Sequence, residues 1–366
     1  MKKELNNKTS GLYIHIPFCK SKCPYCDFYS VTLLSLIPDY LEGIKKEILF
    51  YYKEWPFFFD SLYFGGGTPT VISEPDLANL MEYFFKHFSF SPQSEITIEA
   101  NPDDITSQKL KLFKNLGINR ISLGVQSFDD QDLQYLQRRH STSQNKKALE
   151  IIKTEEFPVC GIDLIYGLEI QTEKTWLKTL KQALGYHPEH ISCYELTLKN
   201  SVKIRPADEQ KVQNLFILTS LFLEDNGYIH YEVSNYARKE SYICQHNWKY
   251  WHHIPYLGIG PSAHSFFFNQ RWWNINSVKK YCQLLKQNSL PTAGKEELDK
   301  EQLRLESIYL GLRTKSGINI QLVGKEAKKK LSDLAEDNLI KIEGDKIIPT
   351  TYGYLFSDTI SLLLFD

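Results

Sequence analysis

No run in this 366-residue chain is long and apolar enough to cross a membrane. The opening MKKELNNKTS is polar and lacks the apolar core of a signal peptide, so the expected location is the cytoplasm. Neither sign of charge is in excess. Lys and Arg number 43 against 44 Asp and Glu, a formal net charge of −1. That balance gives no global field toward nucleic acid or an anionic surface. The basic run Lys325 to Lys330 is broken by Glu326 and reads as a solvated helix face. A disulfide framework is not expected either. Cytoplasmic thiols stay reduced, and the seven cysteines are an odd number. What is present is an ordinary globular composition, 42% hydrophobic and 24% charged, with ample material for a core. Three of the cysteines crowd into residues 19–26, which is a ligand pattern.

Between residue 11 and about 200, short β-type runs alternate with amphipathic segments. The runs are Leu12–Ile16, Ser61–Phe64, Glu95–Glu99, Arg120–Val125, Val159–Ile165 and His190–Leu196. The intervening helices are expected at Asp39–Lys53, Pro75–His87, Ser107–Leu116, Thr142–Thr154 and Thr172–Leu184, with Thr172 opening the last and Gly117 closing Ser107–Leu116. Repeated βα units predict a parallel sheet with right-handed crossovers. Six units are too few for a closed eight-stranded barrel. The fold class expected is α/β, a partial (βα)6 barrel, with a flat doubly wound sheet as its competitor. Polar or glycine-rich residues stand at every strand end, as at a barrel active site. They are the cysteine loop, GGGTP, Glu99, Gln126, Asp163 and Glu195.

The chain divides into a short arm at 1–10, the barrel at 11–205, a helical and aromatic extension at 206–290, and a small domain at 291–366. Helices at Glu296–Leu312 and Gln321–Asn338 precede a hairpin, Leu339–Ile342 and Lys346–Pro349, turned at Gly344-Asp345. That order suggests a small α+β, winged-helix-like domain with a structural or lid role and no nucleic-acid partner.

The segment HIPFCKSKCPYCDFYS spaces Cys19, Cys23 and Cys26 by gaps of three and two residues. Thiolates suit zinc or iron–sulfur clusters. A closed zinc site needs a fourth ligand. His15 is the local candidate, but it is expected inside the first strand, pointing away from the loop. Three thiolates on a cubane leave one iron open, able to chelate the amino and carboxylate groups of a methionine. The electron chemistry then available is sulfonium C–S cleavage to an adenosyl radical. The alternative is a zinc knuckle or three unrelated cysteines. Cys160, Cys193, Cys244 and Cys282 are scattered and read as core residues. Gly65, Gly66 and Gly67 allow a close backbone approach, of a ligand or of a tight turn. Glu99, Gln126 and Asp163 are placed to accept or donate hydrogen bonds to a ligand, and either Arg138 or Arg139 points inward.

A three-cysteine loop of this spacing, opening a βα series and followed by GGGTP, resembles the radical S-adenosylmethionine superfamily. The resemblance implies a [4Fe–4S] cluster held by Cys19, Cys23 and Cys26, with S-adenosylmethionine on its open iron. It places Tyr13, Gly66, Gly67, Thr68, Glu99, Gln126, Arg138 and Asp163 at cofactor-binding positions, Arg138 being the inward arginine. The strings YIHIPFCKSKCPYCDF, YFGGGTPT, IEANP, ISLGVQSF, IDLIYGL and YLGIGPSAHSF resemble the HemN/HemW branch, over about residues 11 to 270. That branch contains oxygen-independent coproporphyrinogen III dehydrogenases and heme chaperones. The dehydrogenases carry a further cysteine where this chain has Phe28, and a longer N-terminal arm. CQHNWKYW, Cys244 to Trp251, matches the HNxxYW motif of the chaperones. Heme is therefore the third implied cofactor, with His246 as candidate axial ligand and Cys244 as a second. The alternative places His246, Tyr250 and Trp251 in the core at a domain contact. The resemblance further implies heme-dependent respiratory proteins as recipients and bacterioferritin as donor, and leaves open a homodimer and peripheral membrane contact.

Overall fold

The structure is a computed structural model that describes residues 9–55, 58–198 and 204–365. Residues 1–8 of the expected arm lie outside these. The barrel repeats strand and helix as β1 (Thr9–Ile16), α1 (Ile37–Tyr51), β2 (Phe58–Gly66), α2 (Glu74–His87), β3 (Phe90–Ala100), α3 (Ser107–Asn115), β4 (Arg120–Gln126), α4 (Asp130–Tyr135), α5 (Thr142–Thr154), β5 (Val159–Tyr166), α6 (Glu173–Leu184) and β6 (His190–Glu195). β1 to β6 pair in sequence order, all parallel. Parallel strands covered on both sides explain the Ile, Leu and Val runs. Leu12, Ile14 and Ile16 are fully buried against the outer helices. Thr172 caps α6 by accepting from the Thr175 amide, and Gly117 takes a positive φ of 81° after α3.

β1 and β6 do not meet. The sheet instead continues outward at both sides. After α7 (Glu209–Asp225), β7 (Ile229–Glu232) and β8 (Asn235–Ala237) extend it beyond β6. After α8 (Gln245–Trp251), β9 (Tyr256–Ile259), β10 (His264–Phe267) and β11 (Gln270–Asn274) extend it beyond β1. Past α9 (Val278–Lys286), β12 (Thr292–Glu297) forms the edge of this 12-stranded sheet. The barrel is therefore partial and open, as its six units require. The stretch expected to open the small domain at 291 and to start a helix at Glu296 is instead strand β12 on β11. Its charge reflects an exposed edge.

The C-terminal unit has its own apolar core, including Ile308, Leu312, Leu331, Ile347 and Ile360. It comprises α10 (Lys300–Gly311), β13 (Ile318–Asn319), α11 (Lys325–Lys328), α12 (Leu331–Glu336), β14 (Ile340–Glu343), β15 (Lys346–Pro349), α13 (Thr351–Leu355) and α14 (Ser357–Leu364). The expected hairpin is present, with Glu343 opposite Lys346 across the turn. The expected helix at Gln321–Asn338 is two shorter ones. Among the described residues no helix is long and apolar enough to cross a membrane.

Candidate functional site

The inner face of the barrel is set by strand alternation. Tyr13 pairs with Tyr63, Tyr63 with Thr97, Thr97 with Arg120, and Asp163 with Ser192. At the carboxyl ends of the strands Tyr63 and Asp163 border a cavity of about 400 Å³, lined also by the three loop cysteines, Glu99 and Arg138 among others.

The cysteine loop is closed at its neck by Val31, whose amide donates to Pro17 O at 2.7 Å and whose carbonyl accepts from Cys19 N at 3.0 Å. It is anchored to the glycine turn by Gly67 N to Ile16 O and Thr68 N to Phe18 O, both 2.8 Å. Gly66 has φ +110°, and a Cβ there would stand 2.6 Å from the His15 ring. A Cβ on Gly67 would meet Phe18 O at 2.6 Å. The glycines thus serve first to seat the cysteine loop against β2. His15 is spent as a fourth ligand. Its Nδ1 bonds the Tyr13 hydroxyl at 3.0 Å and its Nε2 the Tyr29 carbonyl at 2.9 Å. Burial lowers its pKa to about 4, leaving it neutral.

Two half-buried carboxyls face the same space. Glu99 accepts from Tyr63 Oη at 3.0 Å and from Gly66 N at 3.1 Å. Burial raises its pKa to about 7, against those two donors and with help from nearby Asp163. Asp163 accepts from Ser122 Oγ at 2.7 Å, and burial raises its pKa to about 6. Its Oδ1 is buried with no hydrogen-bond partner among the described residues, as is Nε of Arg138. Unpaired buried polar atoms at a cavity wall mark a place for a polar ligand.

Arg138 is the inward arginine. Its guanidinium donates to Cys23 Sγ at 3.4 Å, Tyr25 Oη at 3.3 Å, Asn101 Oδ1 at 2.6 Å and Gly124 O at 3.1 Å. Arg139 also lines the cavity but pairs with Asp103 and makes no bond to a loop sulfur among the described contacts. Gln126 ends β4 at a left-handed φ of 67° and borders the cavity. Tyr13 stands behind the wall, its ring 6.1 Å from that of Tyr63. Asn101 and Ser122 also line the cavity. Neither was singled out from sequence, although Asn101 sits two residues past Glu99 in IEANP.

The three sulfurs border one cavity, yet among the described residues no three His, Cys, Asp or Glu side chains converge enough to hold a single metal ion. A zinc ion needs its thiolates within about 2.3 Å of one point. Three thiols bordering one cavity with no fourth protein ligand, His15 being engaged, match a cubane that takes one cysteine per corner and leaves one corner open. The residues present therefore fit a [4Fe–4S] group with one free corner, and the cavity's unpaired carboxylate and guanidinium atoms fit the ammonium and carboxylate of an amino acid beside it.

His246 is elsewhere. It lies on α8 at the opposite end of the barrel, fully buried beneath the inner face. Its Nδ1 bonds Ser61 Oγ at 2.9 Å and its Nε2 bonds Tyr250 Oη at 2.8 Å. Glu95 caps this helix by accepting from Gln245 N at 3.1 Å and His246 N at 3.0 Å, and from Cys244 Sγ at 3.5 Å. Burial, aided by the Lys249 charge, lowers the His246 pKa to about 3. Of the two expectations for His246, heme ligand or core residue at a domain contact, the ligand role is left to proposal; in this conformation both ring nitrogens are hydrogen-bonded, and CQHNWKYW closes the barrel floor. Cys244 is likewise buried.

The model of the Radical SAM superfamily matches residues 13–183. The heme chaperone HemW of Synechocystis sp. is 32% identical over 390 residues, covering 97% of this chain and 94% of that one. The heme chaperone HemW of Bacillus subtilis is 31% identical over 369 residues, covering 95% and 97%. Among solved structures, the coproporphyrinogen III oxidase HemN of Escherichia coli superposes with a TM-score of 0.84 at 23% identity, covering 98% of this chain and 90% of that one. At that identity the likeness speaks for the fold alone.

Proposed function

We propose a function from one premise: the chain belongs to the HemW family of the radical SAM superfamily. The protein binds heme and passes it to a heme-dependent acceptor, and a S-adenosylmethionine-ligated [4Fe–4S] cluster governs that transfer. The observation that carries this reading is similarity along nearly the whole chain to proteins named as heme chaperones, at 31–32% identity. Phe28 in place of the further cysteine of the dehydrogenases supports the same side. Recipients among respiratory heme proteins, and a cytoplasmic setting, complete the proposal.

Cys19, Cys23 and Cys26 hold the cluster, which when loaded supplies an electron for cleaving the bound sulfonium. Glu99 and Asp163 receive the ammonium and hydroxyl groups of the ligand. Raised pKa values let either carboxyl hold a proton until a cation arrives to replace it. Arg138 presents its free Nε to a carboxylate. Gly66 and Gly67 keep the loop seated, and Gln126 lines the wall. Tyr13 acts one layer back, fixing His15 and through it the return of the cysteine loop. Heme is bound outside this closed interior, by residues other than His246 in its seated position.

A heme titration of the anaerobically reconstituted protein tests the reading. Saturable binding is expected, with transfer of the heme to an apo-hemoprotein. Turnover of coproporphyrinogen III to protoporphyrinogen with reductant and S-adenosylmethionine, without stable heme binding, would assign the chain to the dehydrogenases.

A further inference from the structure

Two of the three loop sulfurs have a side-chain donor: the Thr68 hydroxyl for Cys19 at 3.6 Å and Arg138 Nη1 for Cys23 at 3.4 Å. The two donors are joined. Arg138 Nη2 lies 2.6 Å from Asn101 Oδ1, and Asn101 Nδ2 lies 3.2 Å from Thr68 Oγ1. The direction of this chain is fixed by chemistry. A guanidinium only donates, so the oxygen of Asn101 must face Arg138. Its amide nitrogen then faces Thr68 and donates to the hydroxyl oxygen. The Thr68 proton is left to point at the sulfur of Cys19. One buried positive charge thus reaches two of the three thiolates, directly at Cys23 and through two polarised hydrogen bonds at Cys19.

We propose that the Arg138–Asn101–Thr68 chain sets the reduction potential of the cluster, with Asn101 and Thr68 as positioning residues that carry the charge of Arg138 to Cys19. The inference rests on the reading that these cysteines hold a [4Fe–4S] cluster. Donors to cluster sulfurs stabilise the more negative state and raise the potential. The couple concerned is the one-electron reduction of the 2+ cluster to 1+, with the electron supplied by dithionite. Because the chain runs along the cavity wall, a ligand carboxylate drawing on Arg138 acts on the same potential.

The test is a redox titration of the anaerobically reconstituted full chain, followed by EPR without S-adenosylmethionine, with iron and sulfide measured on every sample. Thr68→Val keeps the shape and removes the donor. It is expected to lower the reduced-to-oxidised ratio about tenfold at fixed poise, a shift of about 59 mV to more negative potential. Asn101→Leu and Arg138→Lys shift it the same way, and Thr68→Ser restores the wild-type value. Wild-type potentials in Thr68→Val, Asn101→Leu and Arg138→Lys, with iron and sulfide at full level, overturn the proposal. A wild-type chain holding no iron or sulfide instead removes the cluster reading beneath it.

Discussion

Replacing Glu99 by glutamine should reverse the sign of its effect on stability between acid and alkaline pH. In the folded protein burial raises this carboxyl to about 7, against an ordinary value of 4.5. A folded-state pKa above the unfolded one means that folding favours the protonated form. The stability contributed is fully present below pH 4.5 and is lost as pH rises to about 7. A shift of 2.5 pH units at about 1.4 kcal/mol each amounts to about 3 kcal/mol. The opening toward the cavity lets solvent reduce this to about 2 kcal/mol. Glutamine has no such titration, but it keeps only one oxygen for the Tyr63 hydroxyl and the Gly66 amide, and one lost bond costs about 1 kcal/mol. Glu99→Gln is therefore expected to be less stable than wild type by about 1 kcal/mol at pH 5 and more stable by about 1 kcal/mol at pH 8. Thermal unfolding of both ligand-free proteins across pH 5–8.5, plotted as a difference in Tm, isolates the effect from every other titrating group. A flat difference, or a wild type that gains on the variant as pH rises, would refute the reasoning.

Three further outcomes follow from the same contacts. His246→Ala removes an imidazole bonded at both nitrogens inside the barrel and should cost about 3–5 kcal/mol, read as a fall in Tm, while the Soret position of any heme bound to the folded variant stays put. An unchanged Tm with a shifted Soret band would return His246 to the heme. Gly67→Ala pushes a methyl to 2.6 Å from Phe18 O, so it should cost about 2–3 kcal/mol or more and reduce iron retention after reconstitution by loosening the cysteine loop, not by removing a ligand. Glu95→Ala uncaps α8 and leaves buried Arg120 without its 3.4 Å partner, and should cost about 3 kcal/mol in denaturant titrations with the cluster spectrum unaltered.

How far the sequence could be read depended on the range of the interactions. The six parallel strands were legible because burial on both faces writes continuous Ile, Leu and Val runs, as at Leu12–Ile16 and Val159–Ile165. The site positions were legible because the chemistry sits at strand ends. β12 was missed because an exposed edge strand reading TAGKEE carries the charge of a linker. The floor of the barrel was legible only as an alternative, with His246, Tyr250 and Trp251 in the core. Ser61 and His246 are 185 positions apart, and nothing local to CQHNWKYW distinguishes aromatic neighbours that face a porphyrin from aromatic neighbours that fill a barrel. Asn101 was overlooked for a related reason. An asparagine after a strand is usually a turn residue, and its role appears only when Arg138 and Thr68 are brought to its two ends.

The account stands on what the three loop cysteines hold. Iron and acid-labile sulfide in the anaerobically reconstituted protein, with the EPR spectrum of the reduced sample before and after S-adenosylmethionine, test this most directly. About four iron and four sulfide per chain, with a signal that changes on addition of the sulfonium compound and disappears in Cys23→Ser, are predicted. Stoichiometric zinc without sulfide, or a cluster signal indifferent to S-adenosylmethionine, would contradict it.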